Sequence, residues 1–203
     1  MNGMRALAVF DFDDTLVEGD SLWPFLVHVA GLPRAASALL EALLCFVFRR
    51  ARDKNDPALA DFRTFVKARL LKRLLAGRRT DSLGPAIERL RRWRRWNEPV
   101  RRALLERAQE GCAIVIASGG LDLYLPALLA DLPPHALICT KMEVENGLIT
   151  GAMASGNCVR AEKAKCLKAW IAAHGPFSAS WGYGNFPHDL PMLELVERRV
   201  IVS

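Results

Sequence analysis

Asp11, Asp13 and Asp14 put three carboxylates within four residues, directly after the apolar run Leu7 to Phe10. That run reads as a short buried strand, and ionised carboxylates are very costly to bury without partners. In an open α/β sheet, ligands sit just beyond the carboxyl ends of the strands. Two carboxylates one residue apart at such a point suit a hard cation such as Mg²⁺, which takes oxygen ligands and keeps positions open for phosphate. A bare pair of this kind also occurs as an acidic turn, but the hydrophobic lead-in and the following Thr15-Leu16 favour a site. A second position is Ser118, which follows the apolar run Cys112 to Ala117 and precedes Gly119 and Gly120. A hydroxyl and backbone N–H groups at a strand-to-helix turn can cradle an anion, although such a turn alone is an ordinary helix entry. Lys163 opens an amphipathic segment, where a lysine is normally just solvated. The segment Tyr183 to Leu193 carries Asn185 and Asp189 beyond a further apolar stretch.

Together these residues resemble a known family. DFDDTLV at 11–17 is similar to the first motif, DxDxT, of the haloacid dehalogenase-like superfamily of phosphohydrolases. Ser118 with Gly119 resembles the second motif, which binds the phosphoryl group. Lys163, with its lead-in from Gly156, resembles the lysine that neutralises nucleophile and phosphate. Tyr183 to Leu193 resembles the fourth, metal-binding motif. The resemblance implies that Asp11 is the nucleophile that becomes an aspartyl-phosphate. It implies that Asp13 is general acid and then base, and that Asp11, Asp13, Asn185 and Asp189 hold Mg²⁺. Lys165 and Arg160 lie close enough in sequence to compete with Lys163. One position departs from the family: Asn185 stands where an acidic residue is usual. An amide oxygen still suits Mg²⁺ but brings no charge, so weaker metal binding is expected.

Elements to position these residues follow from the patterning. Residues 22–97 show no strand signal and read as an all-helical insert, with helices over 22–29, 35–52, 58–76 and 82–96. The remainder alternates: a helix over 99–111, a strand over 112–117, a helix over 121–130 and a strand over 136–140. A hairpin over 142–154 follows, turning at Asn146-Gly147. A helix over 160–174, a strand over 178–183, a helix over 190–197 and a strand over 200–202 complete the chain. This implies an α/β fold, a three-layer Rossmann-like parallel sheet core with an all-helical cap inserted after the first strand. The domains expected are a core of 1–21 and 98–203 and a cap of 22–97.

Composition narrows the class. The chain of 203 residues is 51% hydrophobic and 25% charged, as in an ordinary soluble domain. Its five cysteines lack metal-ligand spacing and read as reduced thiols, consistent with the cytoplasm. A strand starting about five residues from Met1 leaves no room for a signal peptide. The apolar stretch 35–48 falls short of a membrane span and reads as an amphipathic or fully packed helix. Residues 22–107 carry 20 Lys and Arg against 8 Asp and Glu, and the rest 8 against 14. The basic part has no basic-aromatic strand pattern, so no nucleic acid is expected. Oligomeric state is not legible.

Substrate is the less readable part. The insert resembles the caps of the phosphoserine phosphatase-like branch, which places Asp20 and Arg69 as substrate contacts, with Phe62 before Arg69. This implies a Mg²⁺-dependent phosphatase acting on a small organic phosphate such as phosphoserine. Trp23, Phe25, Trp93 and Trp96 and the stretch 35–48 allow another reading, a lipid-phosphate phosphatase at the membrane surface. In that reading Arg91 to Trp96 would face anionic lipid; a solvated helix face with core tryptophans is the alternative. A third reading, from Asn185, is a degenerate phosphate-binding scaffold without catalysis.

Overall fold

The computed structural model describes residues 6–202. The start of the chain, on which the expected lack of a signal peptide rests, lies outside them. The chain forms two compact units, one of residues 6–21, 93–140 and 156–202 and the other of 22–92 and 141–155.

In the first unit, β1 (Ala6–Phe10) is central, its residues 7–10 entirely or almost entirely buried. Such a run, apolar on both faces, is what a parallel strand covered on both sides requires. The unit's other elements are α5 (Glu98–Gln109), β2 (Ala113–Leu121), α6 (Leu125–Leu128), β3 (Ala136–Thr140), α7 (Arg160–His174), β6 (Ala179–Asn185), α8 (Leu190–Leu193) and β7 (Arg198–Val202). The five-stranded sheet has order β3-β2-β1-β6-β7 and is parallel throughout. Leu7, Val9, Ala113, Val115 and Ala117 point to one face, where Leu167 of α7 and Met192 and Leu193 of α8 complete a core cluster. Helix α5 packs on β1 and β2 through Val100 and Leu104. Phe10 is level with Ile116 on one side and Tyr183 on the other. The carboxyl ends of β1, β2 and β6 therefore share one edge, and the chain runs outward from β1 through β2 to β3, then crosses back to β6 on the other side of β1. That is where open α/β sheets bind ligands.

The second unit contains α1 (Leu22–Ala30), α2 (Leu32–Arg52), α3 (Phe62–Leu75), α4 (Gly84–Trp93 less its last residue) and the hairpin β4 (Met142–Glu145) with β5 (Leu148–Met153). Asp61 caps α3 by accepting the Arg63 N–H at 3.1 Å, an interaction of about 1 kcal/mol. The hairpin, which the sequence division leaves with the core, groups with the helices. Gly77 N–H donates to Ile149 O and Ile149 N–H to Arg78 O, so the chain after α3 pairs along β5. Gly151 has φ +84, and a Cβ there would sit 2.8 Å from Lys72 Cα on α3. Only glycine admits that approach. Asn146 and Gly147 both have positive φ, as a tight two-residue hairpin turn demands.

Three expected helices are shorter than their apolar patterns, the one expected over 190–197 being only α8. The one expected over 121–130 is only α6, because β2 continues through Ser118 to Leu121, which pairs with Thr140. The one expected over 82–96 stops at Trp93, because the next residues join the first unit. There Glu18 N–H donates to Arg95 O, and Asn97 N–H to Leu16 O. Such pairing ends a helix that its sequence would continue.

Candidate active site

The Asp11 N–H donates to Tyr183 O at 2.9 Å, extending the sheet by one residue past β1. That bond fixes a side chain only 4% exposed. Asp11 Oδ1 accepts from Lys163 Nζ at 2.6 Å, and the same ammonium donates to Asp189 Oδ1 at 2.6 Å. Lys163, near the start of α7, is itself 4% exposed. A buried ammonium between two carboxylates satisfies both charge and hydrogen bonding. The rivals are placed otherwise: Lys165 is exposed and pairs with Glu162, and Arg160 is exposed.

Asp189 folds back onto β6. Its Oδ2 accepts the Asn185 N–H at 3.0 Å, so both carboxylate oxygens engage protein donors. Gly184 allows this, since a Cβ there would lie 2.8 Å from Asp189 Cβ. The Asn185 side-chain Nδ2 lies 3.4 Å from the backbone carbonyl of Asp13. Asp13 is half-buried, and its Oδ1 accepts the Ser21 N–H at 2.8 Å. Ser21 Oγ in turn shares a hydrogen bond of 2.9 Å with Tyr124 Oη, both residues being wholly buried. Asp14, at φ 55, turns the chain away after Asp13. The Thr15 hydroxyl is buried without a well-formed hydrogen bond among the described residues.

Electrostatics separate the two leading carboxyls. Burial pushes Asp11 up to about 6, against the pull of Lys163 and with a further push from Asp189. Burial pushes Asp13 up to about 7, aided by the charge of Asp20 and opposed by the Ser21 bond. Burial alone would lower Lys163, but Asp11 and Asp189 overcome it and hold the ammonium firmly protonated. One acid is therefore paired with a cation, while its neighbour holds a proton close to neutrality. Such a pair can divide into a nucleophile and a proton donor.

Ser118 is buried within β2, not at a helix entry. Its Oγ accepts the Gly120 N–H at 2.9 Å, while Thr140 Oγ1 donates to Gly119 O at 2.9 Å. These bonds hold residues 118–120 extended at the sheet edge beside the level of Asp11. Asp20 is exposed in the first unit. Arg69 lies on α3 in the second unit, exposed and 4.0 Å from Glu41, and Phe62 packs edge-on against Phe46. The cluster 91–96 is committed to structure at Arg94 and Trp96, while Arg92 and Arg95 are exposed. Arg94 donates to Leu128 O and Asp131 and stacks over Trp96, whose ring meets Phe12 edge-on. Ser21 and Tyr124 were not legible as site residues: a serine at a helix entry carries no such signal, and its partner is 103 positions away.

A divalent cation needs oxygen donors here. Among the described residues no three His, Cys, Asp or Glu side chains form a ligand group. The oxygen donors brought together are mixed: the Asp13 carbonyl and the Asn185 amide lie 3.4 Å apart, with the Asp11 carboxylate two residues before Asp13. Amide nitrogen and oxygen exchange places by a half-turn. That turn would set Asn185 Oδ1 beside the Asp13 carbonyl, two hard oxygens suited to Mg²⁺. The residues fit the ion, with Asp189 serving Lys163.

The haloacid dehalogenase-like hydrolase model matches residues 8–194. A protein of unknown function from Bordetella pertussis Tohama I is 22% identical, over 98% of this chain and 90% of that one, with a TM-score of 0.77. A phosphoserine phosphatase solved with substrate bound is 16% identical over 99% and 87%, with a TM-score of 0.64. Another, solved with an analogue of its phospho-aspartyl intermediate, is 16% identical over 98% and 87%, with a TM-score of 0.63. At these identities the likeness is one of fold. No curated protein matches the chain. With the family model spanning β1 to α8 and its motif residues gathered at one sheet edge, this chain belongs to the haloacid dehalogenase-like hydrolases.

Proposed function

We propose that the protein is a Mg²⁺-dependent phosphomonoesterase that works through an aspartyl-phosphate on Asp11. The observation that carries this reading is the buried ammonium of Lys163, 2.6 Å from both Asp11 and Asp189, beside a second carboxyl held near neutrality. The phosphoserine phosphatases of the same fold, one captured with a phospho-aspartyl analogue, support it.

Ionised Asp11 attacks phosphorus while the bond to the leaving alkoxide breaks, and protonated Asp13 donates its proton to that oxygen. Asp13, now ionised, takes a proton from the water that attacks the aspartyl-phosphate. The phosphorus–oxygen bond to Asp11 breaks, phosphate leaves, and both carboxyls return to their starting states. Lys163 offsets the charge that gathers on Asp11 and on the phosphoryl oxygens. Ser118, its oxygen already holding the Gly120 N–H, offers its own proton to phosphate, and the Gly119 backbone completes that subsite. Asp11, the Asp13 carbonyl and Asn185 would hold Mg²⁺, which when bound polarises the phosphoryl group.

The substrate is a small organic phosphate, phosphoserine or a related metabolite. Asp20, whose charge reaches Asp13, suits an amine on it, and the resemblance makes Arg69 the other candidate substrate residue. A phosphate-release screen over small and lipid phosphomonoesters with Mg²⁺, using Asp11→Asn as the blank, tests the reading. Release at least about a thousandfold above the blank on one substrate is expected. No release on any, or Asp11→Ala retaining the rate, would leave a phosphate-binding scaffold or a different nucleophile.

A further inference from the structure

Helix α2 uses its small residues inward. Ala35, Ala38 and Ala42 are buried, where α2 packs on α1 and α3. Phe46 adds to that side by packing edge-on against Phe62 and Phe65. The opposite side is apolar as well. Leu40, Leu44, Val47 and Phe48 are 59%, 49%, 61% and 71% exposed. Their spacing of four, three and one places them in one arc on the helix surface, a ridge about 12 Å long. An expected amphipathic or fully packed helix is thus packed on one side and apolar on both. A ridge of large apolar side chains facing water is a surface that meets something.

The surrounding charge says what. Helix α2 carries Arg34, Arg49, Arg50 and Arg52 against Glu41 alone. Glu41 is already shared by Arg69 and Arg73 of α3. A second copy laid antiparallel on this ridge would bring the Arg50 and Arg52 end against Arg34, like charge on like. An anionic lipid surface has the opposite sign and accepts a narrow apolar ridge between its headgroups. No helix among the described residues is long and apolar enough to cross a membrane. We propose that the exposed face of α2 docks the protein on anionic membrane surfaces, with Leu40, Leu44, Val47 and Phe48 entering the interface and the flanking arginines meeting lipid phosphates. This contact uses α2 in place of Arg91 to Trp96, where Arg94 and Trp96 are engaged within the protein. It stands apart from the catalytic reading and survives if that reading fails.

The test is co-sedimentation of the full chain with vesicles of phosphatidylcholine alone or with about a third phosphatidylglycerol, at low and high salt. Binding to the anionic vesicles alone, weakened by salt, is expected. Leu44→Glu with Phe48→Glu should lower the partition on the order of a hundredfold. Arg50→Gln with Arg52→Gln should lower it about 25-fold, near fivefold per arginine. Circular dichroism checks that both variants fold, as exposed positions should. Failure of the parent to bind, or binding unchanged in both variants, overturns the proposal. So does a concentration-dependent dimer in light scattering that Leu44→Glu with Phe48→Glu dissolves, because a second copy then covers the ridge.

Discussion

Replacing Lys163 with Met tests whether the ammonium is the electrostatic centre of the site or only a packed stem. The ammonium lies 2.6 Å from one oxygen of Asp11 and one of Asp189, with side chains 5%, 6% and 3% exposed. Methionine fills a similar volume but leaves two buried carboxylates without their cation. Removing one partner of a buried ion pair costs about 3–5 kcal/mol. The cost depends on pH, and its sign follows from Asp11. Its pKa in the folded protein is raised to about 6 even with Lys163 present. A raised carboxyl contributes stability that is fully present below its ordinary value of 3.8 and lost as pH rises through the folded value. Without Lys163 the folded value climbs further, so the loss extends over a wider window. Near pH 5 Asp11 is largely protonated in parent and variant alike, so the variant should be only modestly weakened. Between about pH 6 and pH 8 its deficit should widen by roughly 1.4 kcal/mol per pH unit. Urea unfolding of parent and variant across this range, with chelator present, measures the difference. A deficit that stays constant with pH would refute the electrostatic account and leave Lys163 a packing residue.

The neighbouring groups give sharper single tests. Asp13→Asn should abolish turnover of alkyl phosphates yet spare more of the first half-reaction with p-nitrophenyl phosphate, read as a burst of the phenol. Because Asp13 is raised to about 7, the same variant should stabilise the chelated protein at pH 8 by at least about 1 kcal/mol and make little difference near pH 4, as thermal melts would show. Tyr124→Phe should cost about 1–2 kcal/mol by leaving Ser21 Oγ buried without its partner. Adding Ser21→Ala should recover part of that cost, and a strictly additive double variant would count against the shared bond. Asn185→Asp should lower the stability of the chelated protein at neutral pH and bind Mg²⁺ about tenfold tighter, near 1.4 kcal/mol. Equal magnesium titrations in parent and variant would remove Asn185 from the metal site.

Much of the fold was legible because the central strands β1 and β2 are buried on both faces. Continuous apolar runs marked β1 and β2, and Asn146-Gly147 marked the hairpin. What escaped depends on contacts between distant segments. Periodicity continued the fourth helix to Trp96, but pairing of residues 95 and 97 with 16 and 18 ended it. The apolar run at 121–130 read as helix because nothing local records that Leu121 pairs with Thr140. The hairpin's attachment to α3 rests on the clearance at Gly151, invisible without Lys72 beside it. In the site, the order of motifs brought out Asp11, Asp13, Ser118, Lys163, Asn185 and Asp189. It did not show that Asp189 spends both oxygens on Lys163 and the Asn185 N–H.

That last arrangement bears on the amide at 185. Asp11, Asp13 and Asp189 set three carboxyls against the single ammonium of Lys163. Were all three ionised, two negative charges would stand uncompensated at the edge of a buried sheet. The chain alone answers by raising Asp11 and Asp13 toward neutrality. A doubly charged cation would supply the same compensation and release those protons. A carboxylate at 185 would add a third uncompensated charge, strengthening attraction for the ion while making the chain without it harder to fold. The amide keeps the ligand oxygen and matches the deficit to one divalent ion. On this balance, an amide at 185 would exchange affinity for a divalent ion for stability of the chain without it. The opposite movements of stability and affinity expected in Asn185→Asp are two faces of that one exchange.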